Sequence, residues 1–274
     1  MHLATNQYPW STFYRREGRC FEDDLDAGLA QVAASGLDGF EPIVGAVEHV
    51  DRLAPLLEKH GLEMRSLYVN SVLHDPSEIE ASIANVLAVA ERARDVGTRL
   101  IVTNPSPIQW GGQQDKSDRQ LEVQAEALER LGRDLAERGL TLAYHYHQAE
   151  LRHGAREFHH MMAATSPVHV TLCLDCHWTF RGCGDSAVAV HDVVTLYGER
   201  VSEVHLRQST GGVWRESFGE GDIDYARVFE QFQALEDDPH LVLEQAVEDG
   251  TPTTLDATEA HRRSGAYVRK LLGQ

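Results

Sequence analysis

One unit recurs along almost the whole of this 274-residue chain: apolar residues at helical spacing, a Gly or Pro turn, then a short apolar run. Helices and strands bury apolar residues at different periods. Regular alternation of the two patterns therefore restricts the fold to strands lying side by side with helices packed over them. The first strand is expected at Leu3–Thr5. Leu25, Leu29 and Val32 then share a helical face, Gly36 suits the left-handed position at a helix end, and Gly39–Glu41 reads as the second strand. Leu53, Leu56 and Leu57 lead through Gly61 to a third strand at Met64–Val69. Asp75-Pro76-Ser77-Glu78 reads as a helix start, with Asp75 capping and Pro76 in the first turn. Ile79, Ile83, Val86 and Ala90 form its apolar stripe, and Leu100–Thr103 follows as the fourth strand.

The second half keeps the rhythm. Ser117 and Gln120 have capping-box spacing ahead of Leu121, Leu128 and Leu135, and the fifth strand follows at Leu140–Tyr146. Phe158 and Met161 precede Val168–Asp175, and Val190, Val193 and Leu196 precede Val201–Leu206. Tyr225, Phe229 and Phe232 precede His240–Glu244, and a last helix covers roughly Ala257–Leu272. Eight strands separated by helices predict an α/β fold with a parallel sheet. A typical (β/α)8 barrel needs about 250 residues. The length suits it, and no Gly-x-Gly-x-x-Gly or Walker loop argues for a doubly wound sheet. We expect a single (β/α)8 TIM-barrel domain over residues 1–274.

Charge and cysteine content narrow the function classes. A formal net charge of −18 disfavours nucleic acid and anionic membranes as partners. The N-terminal MHLATNQYPW lacks a basic stretch followed by an apolar run, and nothing approaches the ~18 apolar residues of a spanning helix. The cytoplasm is the expected compartment, with Cys20, Cys173, Cys176 and Cys183 as reduced thiols.

In such a barrel, chemistry sits where strands end. The expected ends carry Glu41, then His145 and His147, Asp175 and His177, His205 with Gln208, and Glu244. Alternation along a strand turns His145 and His147 the same way, and likewise Asp175 and His177. Asp175 and Glu244 each close an apolar run. Two carboxylates brought to one ring from buried strands repel each other, and a divalent cation between them is the simplest remedy.

The ordered set of Gly36-Leu37-Asp38-Gly39-Phe40-Glu41, Leu142-Ala143-Tyr144-His145-Tyr146-His147, Leu174-Asp175-Cys176-His177, Val204-His205-Leu206-Arg207, Gly219-Glu220-Gly221-Asp222-Ile223-Asp224 and Val242-Leu243-Glu244-Gln245 spans nearly the whole chain. It resembles the xylose-isomerase-like superfamily of sugar isomerases, epimerases and inosose dehydratases. The resemblance implies one divalent metal ion (Mn²⁺, Co²⁺, Mg²⁺ or Zn²⁺) held by Glu, Asp, His and Glu from strands five to eight. Asp175, His205 and Glu244 match the last three. The first is replaced by His145, a form similar to the inosose-dehydratase branch. Either His145 ligates the cation, or Glu150 turns in to supply the oxygen. The family's barrels are often dimers or tetramers, so a homo-oligomer is compatible with the resemblance.

The implied function is isomerisation or epimerisation of a small carbohydrate or polyol. A proton would leave the carbon beside a carbonyl, and the cation would stabilise the enediolate. Glu244 or His147 is expected as base, with His177 or Glu150 as the second proton carrier. Arg207, Gln208 and Glu41 are the expected polar contacts to substrate. Trp10 and Trp110 are expected to wall the pocket, with Tyr8, Phe13, Tyr14 and Trp178 beside them. The nearest alternative is a lyase that dehydrates an inosose or keto-sugar after the same first step. Loss of the paired glutamates an epimerase uses favours one-sided proton removal, as in an aldose–ketose isomerisation or such a β-elimination. A DNA-repair endonuclease shares this fold, and the acidic charge weighs against it.

Overall fold

The eight strands pair in the order β2-β1-β8-β7-β6-β5-β4-β3, every neighbour parallel. They are β1 (Leu3–Asn6), β2 (Gly39–Glu41), β3 (Ser66–Tyr68), β4 (Leu100–Thr103), β5 (Thr141–Tyr144), β6 (Val170–Asp175), β7 (Val201–Leu206) and β8 (His240–Leu243). The computed structural model describes residues 2–273. Met1 and Gln274, the ends of the expected domain, lie outside the described residues. The first and last strands of the series meet through single bridges, Gly39 with Glu63 and Ile43 with Tyr68. The Phe40 amide donates to the Glu63 carbonyl at 2.9 Å, and Tyr68 to Pro42 at 2.9 Å. The sheet is thus nearly closed, a TIM barrel.

Local chemistry explains most boundaries. Ser117 and Gln120 form the expected capping box at the head of the helix Asp118–Ala136. Gly61 takes φ 67° at the end of the helix Val47–His60, and Gly36 takes φ 78°, conformations that favour glycine. The helix expected from Asp75 instead starts at Ile79. Asp75 closes a tight turn, accepting from the Ser77 amide at 2.9 Å, so its side chain serves the turn in place of a cap. Among the described residues, no helix is long and apolar enough to cross a membrane.

Two short helices were not anticipated, and both bear on the site. Gln7–Arg16 follows β1, capped by the Asn6 side chain, which accepts from the Tyr8 amide at 2.7 Å. This helix turns Trp10, Phe13 and Tyr14 into the core. The Trp10 ring stacks on His261 at 4.2 Å and donates to Thr5 Oγ1 at 3.2 Å. Trp10 is therefore a core residue, not a pocket wall as expected. The second helix, Cys176–Gly182, begins directly after β6.

Candidate active site

Parallel register brings the central acids and imidazole together. Asp175 stands opposite His205 across β6 and β7, and Val242 of β8 stands opposite His205 on its other side. Glu244 follows β8, its amide donating to the Leu206 carbonyl at 3.0 Å. Asp175, His205 and Glu244 each offer a ligand atom within 4.8 Å of the others, all fully buried or nearly so. Asp175 divides its oxygens between two tasks. Oδ1 caps the following helix by accepting from the Trp178 amide at 2.7 Å, while buried Oδ2 has no hydrogen-bond partner.

Arg207 sets the electrostatics on this side. Its Nη2 lies 2.6 Å from Glu244 Oε2 and 4.0 Å from Asp175 Oδ2. Its Nε donates to the Glu244 carbonyl at 2.8 Å, and its guanidinium stacks 4.3 Å from the Trp214 ring. Burial opposes ionisation of Glu244, but Arg207 and then His205 hold its carboxyl well below the usual range. Asp175 is pushed upward, first by burial, because Arg207 is farther away and Glu244 adds its own charge.

The end of β5 presents a different environment. His145 is fully buried and neither ring nitrogen has a partner. Its ring centroid lies 4.9 Å from that of His205 and 4.8 Å from that of His147. Burial drives the His147 imidazole down to about 4. Glu150 Oε2 accepts from the His147 amide at 2.8 Å, and Oε1 lies 3.4 Å from Asn104 Nδ2. Burial, and then Glu157, push the Glu150 carboxyl up to about 7. A cavity of about 540 Å³ opens over these groups, lined among others by Tyr8, Tyr68, Trp110, His147, Glu150, Arg152, Trp178, Arg207 and Glu244.

A family model described as "Xylose isomerase-like TIM barrel" matches residues 29–271. The chain belongs to the xylose isomerase-like TIM-barrel family. It is 23% identical to an inosose dehydratase of Clostridium perfringens over 281 residues, covering 91% of this chain and 90% of that protein. It is 24% identical over 161 residues to an inosose dehydratase of Geobacillus kaustophilus, a match that spans 55% of this chain and only about half, 51%, of that relative. A solved structure of a sugar phosphate isomerase/epimerase from Parabacteroides distasonis superposes with a TM-score of 0.75 at 15% identity, covering 98% of this chain and 93% of that one.

For a member of this xylose isomerase-like family, the donor set fits a divalent cation. Asp175 Oδ2 and both His145 nitrogens are buried without partners, and two carboxylates converge on one imidazole. Glu150 joins none of the clusters of close ligand atoms, whereas His145 falls within 4.8 Å of His205 and Cys173, ligand atom to ligand atom. The group of His145, Cys173 and His205 and the group of Asp175, His205 and Glu244 share His205, and Glu150 falls in neither.

Several other expected site residues lie elsewhere. His177 sits in the helix after β6, so strand alternation no longer governs it. It turns to Trp214, whose Nε1 lies 3.3 Å from its Nδ1, and it does not line the cavity. Gln208 is buried under the loop 219–223, donating to Gly219 and Ile223 carbonyls at 3.2 and 2.8 Å. Glu41 lies below the cavity, accepting from Asn6 Nδ2 at 2.6 Å and Ser66 Oγ at 2.7 Å, with His205 Nε2 at 3.1 Å. Trp110 does reach the rim, 53% exposed, its ring centroid 5.3 Å from His147. Sequence reasoning missed Tyr68, Arg152 and Glu203. Glu203 stands two residues before His205 on β7 and so on the same face, a signal that was present.

Proposed function

We propose that this protein is a divalent-metal-dependent lyase that removes water from a small polyhydroxylated ketone, of the inosose or keto-sugar kind. The observation that carries the reading is that two proton-handling groups, His147 and Glu150, stand in the one segment that follows β5, are joined through the His147 amide, and line the same cavity. Epimerisation removes a proton from one face of a carbon and returns it to the other. Loss of a proton and a hydroxyl from one face needs an acid and a base on the same side, and the segment after β5 would supply both.

Asp175, His205 and Glu244, with His145 as the fourth donor, would hold the cation, which when bound supplies Lewis acidity toward a substrate oxygen. The His147 imidazole takes the proton from the carbon beside the carbonyl. The freed electron pair forms the new carbon–carbon double bond, and the neighbouring hydroxyl departs as water with a proton from Glu150. Burial that disfavours a lone imidazolium is offset while negative charge develops on the substrate beside it. Arg207 is committed to Glu244 through Nη2, but its Nη1 is buried and unpartnered, ready to orient a substrate oxygen. Trp110 and Trp178 wall the cavity against water.

The test is an inosose or ketose panel with added Mn²⁺ or Co²⁺, read by absorbance and mass. The lyase yields an enone or diketone absorbing in the near ultraviolet and lighter by one water. A product of unchanged mass without a chromophore would overturn it and support the second reading, an isomerase or epimerase. That reading is favoured by one feature: Glu150 and Glu244, two carboxylates from separate strands, both line the cavity.

A further inference from the structure

Below the cavity a line of buried polar side chains runs through the barrel to its opposite end. His205 Nε2 lies 3.2 Å from Glu203 Oε1, and Glu203 Oε2 lies 2.9 Å from His240 Nδ1. His240 Nε2 in turn lies 3.1 Å from His2 Nδ1, and His2 Nε2 lies 3.7 Å from Glu63 Oε2 at the surface. Glu203 and His205 are wholly buried and face the same way on β7, while His2 and His240 line a concavity on the floor of the barrel. Below His205, nothing in the proposed reaction uses this line.

We infer that Glu203, anchored from the barrel floor by His240 and His2, is a positioning residue that fixes the ring of His205 and the nitrogen it presents at the mouth. A carboxylate only accepts hydrogen bonds, so the nitrogen facing it carries the hydrogen, and the opposite nitrogen keeps its lone pair. Here Nε2 faces Glu203 and Nδ1 faces Glu244, 3.2 Å from its Oε2. Both nitrogens thus face carboxylates. In the metal reading the cation would take the place of the hydrogen between Nδ1 and Glu244, so Nδ1 is the nitrogen whose lone pair serves the cluster with Asp175 and Glu244. Glu41 also reaches Nε2, at 3.1 Å, while accepting from Asn6 and Ser66. Glu203 alone of the two is tied to the floor. The chain of contacts converts the rigidity of β8 and the N-terminus into a fixed imidazole orientation some way above them.

The inference rests on the metal reading above, and the experiment separates the two. Metal-free wild-type protein, Glu203→Gln and His240→Gln are titrated with Co²⁺, following heat and the visible absorption of the bound ion. Val190→Ala, a core change on an outer helix, serves as a destabilised control. Loss of an outer partner of a metal-binding histidine typically costs about 10–100-fold in affinity. We expect Glu203→Gln to weaken Co²⁺ binding by about tenfold or more and to shift its absorption bands, His240→Gln to do so less, and Val190→Ala to leave the bands unchanged. Should Glu203→Gln fail to fold, His240→Gln carries the test, since it leaves Glu203 in place. Wild-type binding with affinity and bands unaltered in the folded variants overturns this inference alone. Wild-type protein that binds no Co²⁺ overturns the metal reading and this inference together.

Discussion

The two sides of the barrel mouth carry the same kinds of side chain, mostly paired on one side apart from Asp175 Oδ2 and Arg207 Nη1, and mostly unpaired on the other. On the side of β6 to β8, Glu244 has Arg207 at 2.6 Å and His205 at 3.2 Å, and His205 is bonded through its other nitrogen as well. At the end of β5, His145 has no partner for either nitrogen, His147 Nδ1 has none, and Glu150 is held by one amide and a long contact to Asn104. Matched groups hold a fixed shape and charge. Unmatched ones are stabilised by something added, a cation or a substrate. In the proposed function this difference separates a holding side, where Asp175 Oδ2 and His205 would meet the cation, from a reacting side, where His147 and Glu150 would move protons and His145 would complete the donor set.

The sharpest way to break this division is to remove the cation. Stripping with a chelator is expected to reduce turnover to the level of a blank, with recovery on adding Mn²⁺ or Co²⁺. The melting temperature should fall with it, since an ion that binds only the folded state stabilises that state. Full turnover in metal-depleted protein, checked by elemental analysis, would end the division into holding and reacting sides.

The next largest effects belong to β5. Glu150→Gln and His147→Gln are each expected to lower kcat by roughly 10²–10⁴-fold, the usual worth of a positioned acid or base, with the cation still bound. Glu150 adds a pH signature. Its carboxyl is pushed up to about 7, so it carries its proton below that value and loses it above. A proton donor therefore fails as pH rises, and kcat should decline through about 7 in the wild type. In Glu150→Gln that limb should vanish; a surviving limb would assign it to another group. A smaller effect is expected at the rim. Trp110→Ala removes an aromatic contact worth ~0.5–1.5 kcal/mol, which corresponds to roughly 2–10-fold in KM with kcat little changed. An equal loss in kcat would move Trp110 from the wall into the machinery.

The holding side was far more legible in the sequence than the reacting side, for a physical reason. Asp175, His205 and Glu244 end or nearly end apolar strands, and in a parallel barrel adjacent strand ends must converge, so their meeting follows from the pattern alone. His177 failed because the chain leaves the strand at Asp175 and enters a helix, which replaces a period of two by one of 3.6. Gln208 failed because its buried amide found its partners, Gly219 and Ile223, in the loop 219–223, 11 and 15 residues further along the chain. Trp10 failed because an aromatic run can face a cavity or a core, and only the packing of Gln7–Arg16 against His261 decides. The orphaned nitrogens of His145 were invisible, since partnerlessness is a property of three dimensions. Glu203 was readable in principle from the Glu-x-His spacing on β7.

The same distinction between matched and unmatched acids extends beyond the mouth, where its expected effect is smallest. Glu216 accepts from the Thr254 amide at 2.8 Å, the Leu255 amide at 3.0 Å, Thr254 Oγ1 at 2.6 Å and Arg16 Nη1 at 3.1 Å. Burial opposes its charge, but these bonds, Thr254 first, lower its carboxyl below the ordinary 4.5. A group depressed in the folded state adds stability above its unfolded value, and that stability is lost as pH falls toward the folded value. Glu216→Gln should therefore lower the melting temperature modestly near neutrality, and the gap to wild type should close as pH drops below about 4.5. Turnover at neutral pH should be nearly unchanged, because Glu216 ties the Thr254–Leu255 segment to the helix Gln7–Arg16 and does not line the cavity. A gap that widens on acidification would show that Glu216 is held protonated, and a large fall in kcat would show that satisfaction of an acid's hydrogen bonds does not separate holding from reacting in this barrel.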